Sequence, residues 1–278
     1  MRFLVAATWL IAAAGCEFEH GQLDSDGSRS GETPDAGSNM GPGGSTTPDA
    51  PPQISQRSCA YAVAPDTRLC LEFNDGFLTP NARDASAAHL DPKTTSVHMT
   101  MRGTDPAVTV ESGGSMTIAE NPSLDIGSAI TIEAWVRRSG PQAASIIFNQ
   151  GQYLLGMDGA GFVYCNVAGT AFSADQAHGY LVDGAWHHIA CTYDGSDVQA
   201  YLDGSSYDCR KAAYPSIPKN GNQGTLIAPN FTGDIDGVRI WARDLGPTNE
   251  ICSHANKTSC QRSCNSGGTQ SNDGGFHF

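Results

Sequence analysis

The 278-residue chain carries a formal charge of −13, with 16 Lys and Arg against 29 Asp and Glu. That balance repels polyanions and sets nucleic acid aside as a partner. Nine cysteines behind an apolar N-terminal run point instead to an exported chain in which disulfides persist.

The chain begins MRFLVAATWLIAAAGC, with Arg2 ahead of an apolar run over 3–14. Spanning a bilayer takes about 20 apolar residues, so 1–15 predict a cleaved secretory signal rather than a membrane helix. The triplet Ala13-Ala14-Gly15 before Cys16 resembles a bacterial lipobox, with Ala13 where leucine is usual. The resemblance implies acylation of Cys16 and a membrane partner, and Glu17, where an Asp would favour the inner membrane, leans the expectation to the outer one. Residues 16–57 are rich in Gly, Ser, Pro, Thr and Asp and hold almost nothing apolar. Such a segment buries too little to offset its ordering entropy and predicts a disordered tether, its ends about 35 Å apart.

Residues 58–264 are the one stretch long enough for a core, and 265–278 read as a loose tail. The periodicity of the domain is 2. In AITIEAWVRR, Ile130, Ile132, Ala134 and Val136 share one face, with Thr131, Glu133, Trp135 and Arg137 on the other. Val163, Cys165 and Val167 alternate in the same way, as do Ile189, Cys191 and Tyr193, then Val198, Ala200 and Leu202. DGSD at 194–197 joins the last two runs as a hairpin. Further runs (LCLEFN, AVTV, SMTI, SIIFN, QYLLG, TLIA, DIDGVRIWA) sit between Gly, Pro, Asn and Asp punctuation. Together they predict an all-β, two-sheet antiparallel sandwich. One helical turn is expected near 247–254.

Without Cys16, eight cysteines remain for disulfides: Cys59, Cys70, Cys165, Cys191, Cys209, Cys252, Cys260 and Cys264. Cys165 and Cys191 lie among core-facing residues and bridge if their strands adjoin. Cys252, Cys260 and Cys264 cluster after the last strand, placed to fasten the C-terminus to Cys59 or Cys70. The alternative is that one or two of these remain as buried thiols, and no spacing suggests structural zinc.

Four stretches in order, LCLEFNDG, SLDIGSAITIEAWVRR, WHHIACTYDGSDVQAYLDG and FTGDIDGVRIWARDLGPTNEI, are similar to the laminin G-like, concanavalin A-like lectin/glucanase jelly roll. The similarity covers about residues 70–251 and implies that fold. It leaves function open, because the fold hosts lectins, adhesion modules, hydrolases and structural appendages. It also implies that Trp186, His187 and His188 are framework, which agrees with two adjacent strand residues pointing to opposite faces.

The glucanase branch needs a Glu-x-Asp-x-x-Glu strand, and Glu133 stands without partner carboxylates at i+2 or i+4. The resemblance also implies Ca2+ held by loop carboxylates, with Asp75, Asp84, Asp158, Asp234 and Asp236 as candidates. Each of these serves equally as a turn residue. A sugar platform is expected at Trp135 with Glu133 and Arg137 beside it, joined by Tyr201 and Trp241, unless these aromatics pack. The expectation is therefore an exported, lipid-anchored protein that displays a domain binding extracellular glycan or protein ligands. The alternatives are a structural or adhesive envelope component and a divergent glycoside hydrolase.

Overall fold

A computed structural model describes residues 64–74, 82–174, 180–181, 184–219, 223–246 and 250–261. The signal segment, Cys16, the tether, Cys59, Asp75, Cys264 and the tail lie outside the described residues.

Thirteen strands follow in chain order: β1 (Thr67–Leu71), β2 (Lys93–Arg102), β3 (Asp105–Ile118), β4 (Ile130–Arg138), β5 (Ala144–Asn149), β6 (Tyr153–Met157) and β7 (Val163–Val167), then β8 (Thr170–Ser173), β9 (His187–Tyr193), β10 (Asp197–Leu202), β11 (Ser205–Lys211), β12 (Thr225–Ile227) and β13 (Gly233–Trp241). One short helix, α1 (Glu250–His254), comes last. All pairings are antiparallel, in the order β11-β10-β9-β4-β13-β3-β12-β5-β6-β7-β8, with β1 added to β13 and β2 to β3. The ladder folds into two layers because β3 belongs to both. Its Val108–Val110 region pairs β13, while Met116, Thr117 and Ile118 pair β12.

The crossing falls at Gly113 and Gly114. Gly113 has φ +78°, and a Cβ on Gly114 would lie 2.6 Å from the Ser96 carbonyl oxygen, so the bend has room for hydrogen only. AVTV and SMTI are thus one bent strand rather than two. β2, which the sequence reading passed over, pairs β3 on both sides of the bend and edges both layers.

The inward residues of the alternating runs form one core. Ile130, Ile132, Ala134 and Val136 from β4 meet Ile189, Cys191 and Tyr193 from β9, then Val163, Cys165 and Val167 from the opposite layer. The 194–197 hairpin has the register Val198↔Tyr193, Ala200↔Cys191, Leu202↔Ile189, which puts both apolar sets on the core side. Asp194 closes its turn by accepting from the amides of Ser196 (2.8 Å) and Asp197 (2.7 Å). Cys165 and Cys191 are joined, with Cα atoms 5.9 Å apart. Their strands are not hydrogen-bonded neighbours but face each other across the core, so this disulfide ties layer to layer. Cys252 departs from expectation: it closes a local loop with Cys260, eight residues on, instead of reaching Cys59 or Cys70. Cys70 and Cys209 are also disulfide-bonded, so none of the six described cysteines is a free thiol.

Candidate functional site

The outward residues of β4, β9, β10 and β13 build the second feature of the sheet. In register, Trp135 sits between His188 and Asp236, and Glu133 between Ala190 and Arg239. Tyr201 pairs with Ala190 one strand further out. The proposed platform residues Trp135, Glu133, Tyr201 and Trp241 therefore do share one face. That face is covered. The chain after β13 folds back over it, and Leu245 and Ile251 close a second cluster with Ala190, Tyr201 and Trp241. Five residues cannot hold a helix alone. α1 is held by this cluster, by the Cys252–Cys260 loop and by Glu250, whose carboxylate receives Arg243 at 3.0 and 2.5 Å.

The covered face has Glu133 at its centre, fully buried. His254 Nδ1 is 2.8 Å from Oε1 and 3.0 Å from Oε2. Arg239 Nη1 and Trp241 Nε1 each donate to Oε1 at 3.3 Å. His188 Nε2 stands 3.4 Å from Oε2. Arg239 also donates to Glu72, at 2.9 Å from Nε and 2.5 Å from Nη2. Burial opposes ionisation of Glu133, but the neighbouring His254 with its hydrogen bond, the close His188 imidazole and Arg239 outweigh it and hold the carboxyl well below its usual range. Burial pushes His188 below its usual value near 6.5 despite Glu133, and it pushes Glu72 up despite Arg239.

This face corrects the platform reading. Trp135 donates its indole N–H to the His254 carbonyl at 3.2 Å, meets the His188 ring edge-on at 5.4 Å, and has the Arg102 guanidinium 4.5 Å from its ring centre. No face of the indole is left for a sugar. Tyr201 is 3 % exposed, and its hydroxyl is bonded to Gln199. Glu133 is an anchor for the C-terminal segment. His187 and His188 belong to the same framework: Asp203, at φ +49° in the β10–β11 turn, accepts from the His188 amide at 3.0 Å and lies 3.0 Å from His187 Nδ1.

Of the carboxylates offered for calcium, the four among the described residues have protein partners. Asp84 is fully buried and accepts from the amides of Cys70, Ser86 and Leu90 and from the Ser86 hydroxyl at 2.6–2.9 Å, pinning the 82–91 segment to β1. Asp158 accepts from the amides of Ala160 and Phe162 within its own turn. Asp236 receives Arg102 at 2.7 Å, and Asp234 receives Arg137 and Thr109. Among the described residues no group of three His, Cys, Asp or Glu side chains is arranged for a metal ion.

Among the described residues Arg137 is the predicted ligand-site residue that stays open, with about a third of its side chain exposed. It lines an open cleft of about 520 Å³ with Arg138, Ser139, Gly184 and Asp234. Half-buried Trp186 stands beside it, with the Arg137 guanidinium 5.2 Å and the Arg102 guanidinium 6.0 Å from its ring. The sequence reading took Trp186 for framework.

His188 sets a pH dependence. Its folded pKa lies below the unfolded value, so the unfolded chain takes up the proton first and stability falls as pH drops through about 6.5. The Glu133 contribution has the same sign but is lost only below its ordinary value of 4.5. Glu72 and Asp236, both raised by burial against their arginines, act in the opposite direction in the carboxylate range. The melting temperature is expected to fall between about pH 7 and 5.5, with a shallower slope in His188→Gln. An unchanged slope in that variant would assign the dependence to another group.

Comparison with known proteins agrees with this architecture. A laminin G family model described as the concanavalin A-like lectin/glucanases superfamily matches residues 110–251, just over half of the chain. Domain 4 of AbnA, an extracellular GH43 arabinanase from Geobacillus stearothermophilus solved in complex with arabinotriose, superposes with a TM-score of 0.55 at 14% identity, covering 68% of this chain and 98% of that one. The binding domain of Paraclostridial Mosquitocidal Protein 1 gives 0.54 at 16%, over 68% of this chain and 51% of that one. The binding domain of botulinum neurotoxin DC in complex with rat synaptotagmin II gives 0.51 at 16%, over 69% and 51%. The chain thus spans about half the length of the toxin domains and nearly all of the arabinanase domain. No curated protein matches it in sequence. By the matched family model and the sandwich itself, the chain belongs to the concanavalin A-like lectin/glucanase superfamily.

Proposed function

We propose that the protein is an exported, lipid-anchored, non-catalytic module that presents this sandwich to extracellular glycans. The observation that carries the reading is the open cleft lined by Arg137, Ser139 and Gly184, with half-buried Trp186 packed against the Arg137 guanidinium. The arabinanase domain solved with arabinotriose, of which nearly the whole length is matched, supports a saccharide as ligand. A protein ligand is the second reading, favoured by the toxin domain solved with synaptotagmin II. Hydrolysis finds no support in Glu133, which is fully buried and shares Arg239 with Glu72 instead of facing a substrate. In this reading Cys16 carries the lipid, at the outer membrane, and 16–57 hold the domain clear of the surface.

Saturable retention of the chain on at least one immobilised extracellular glycan, without release of reducing ends, is the expected result. Trp186→Ala should abolish retention while the melting temperature stays near that of the parent. No retention on any glycan, retention unaffected by Trp186→Ala, or glycan cleavage would contradict the reading. For the anchor, Cys16→Ser should lose the acyl mass and no longer sediment with membranes. Unchanged sedimentation would refute lipidation.

A further inference from the structure

The geometry points to the outer edge of the Arg137 guanidinium as a receptor for the carboxylate of an acidic saccharide, a uronate or a sialate. This inference rests on the glycan-binding reading above and adds the ligand class and the contact.

A guanidinium offers two pairs of parallel donors, one along Nε and an Nη, the other across both Nη atoms, and each fits the two oxygens of a carboxylate. In Arg137 the first is occupied: Nε lies 2.6 Å and Nη2 2.5 Å from Asp234 Oδ2. Asp234 is itself fixed, 8 % exposed, with Oδ1 accepting the Thr109 hydroxyl at 2.6 Å. Trp186 lies against the same guanidinium. Head-group orientation is therefore set before any ligand arrives, which reduces the ordering cost of binding. The second pair is open: among the described residues the polar contacts of Arg137 use Nε and Nη2, and Arg137 lines the cleft. Ser139 is exposed at the rim and adds a hydroxyl. At Gly184 a Cβ would meet nothing within 4 Å, so that wall gives onto open space.

Charge selects the carboxylate over a neutral diol. A carboxylate meets the Nη1–Nη2 edge of the guanidinium with two charge-assisted bonds. Neutral hydroxyls can accept from the same donors but lack the charge assistance that roughly doubles the strength of such bonds.

The test is calorimetric titration of the full chain with oligogalacturonate, its methyl ester, and uncharged galacto-oligosaccharide of equal length, and separately with sialyllactose and lactose. At least one acid is expected to bind ten-fold or more tightly than its uncharged counterpart, with affinity falling as salt rises. Which of the two acids binds distinguishes uronate from sialate. Arg137→Lys, which keeps a charge but loses the paired donors, should cost most of that preference. The ester comparison alters the ligand alone, so it stands even if the variant folds poorly. Equal binding of acid and ester, or binding of neutral sugars only, would overturn the carboxylate receptor and leave the glycan reading intact. Binding of no glycan here or on the immobilised set would overturn both.

Discussion

Replacing Glu133 by alanine is expected to lower stability by roughly 3 kcal/mol, the lower end of the cost of breaking a buried charged pair. The loss has two parts. His254, Trp241 and Arg239 lose an acceptor that is fully buried, and the vacated space lies beneath packed chain where water cannot easily replace it. Arg239 keeps Glu72, which is why the lower end applies. For a domain of this size the melting temperature should drop by roughly 6–12 °C. Glu133→Gln keeps the volume and one acceptor oxygen and should cost less. Because His254 joins Glu133 to α1, the alanine variant should also raise amide exchange across 250–261 ahead of the rest of the sandwich. Equilibrium denaturation with hydrogen exchange measures both. A loss under about 1 kcal/mol, typical of an exposed pair, would contradict the buried cluster as the anchor of the C-terminal segment.

Removing the layer-to-layer disulfide by the double substitution Cys165→Ala and Cys191→Ala is expected to cost about 3.5 kcal/mol, from loop-closure entropy over its 26-residue separation. Both sulfurs are fully buried in the main core, so some cavity cost adds to this. Cys252–Cys260 spans eight residues, so its removal should cost less globally and act on α1. Urea denaturation of the two double variants separates them. If Cys252/Cys260 proved the more damaging globally, the core bridge would not be the principal covalent constraint.

Alternation made the inward faces of β4, β7, β9 and β10 legible, because a strand with period 2 declares its two sides. The same alternation placed Cys165 and Cys191 inward, although not in adjoining strands. It could not declare what covers the outward side. Trp135, Glu133 and Tyr201 read as a platform because they share a face, and the cover comes from Leu245, Ile251 and His254, over 100 residues beyond β4. β2 was missed because KTTSVHMTMR edges both layers and leaves Met99 and Met101 40% and 50% exposed, so its pattern lacks a buried stripe. The ion pairs of Asp234 and Asp236 were not legible from the sequence either. Arg137 and Arg102, each more than 95 residues away, are what neutralise them.

The most direct test of the account is a hydrogen-exchange footprint of the chain with a glycan that it retains. A ligand in the open cleft is expected to protect amides around 135–140, 184–188 and 232–236 and to leave 245–261 unchanged. Protection centred on 245–261, or opening of that segment on binding, would mean that the covered Trp135 face is the site and that the cleft is not.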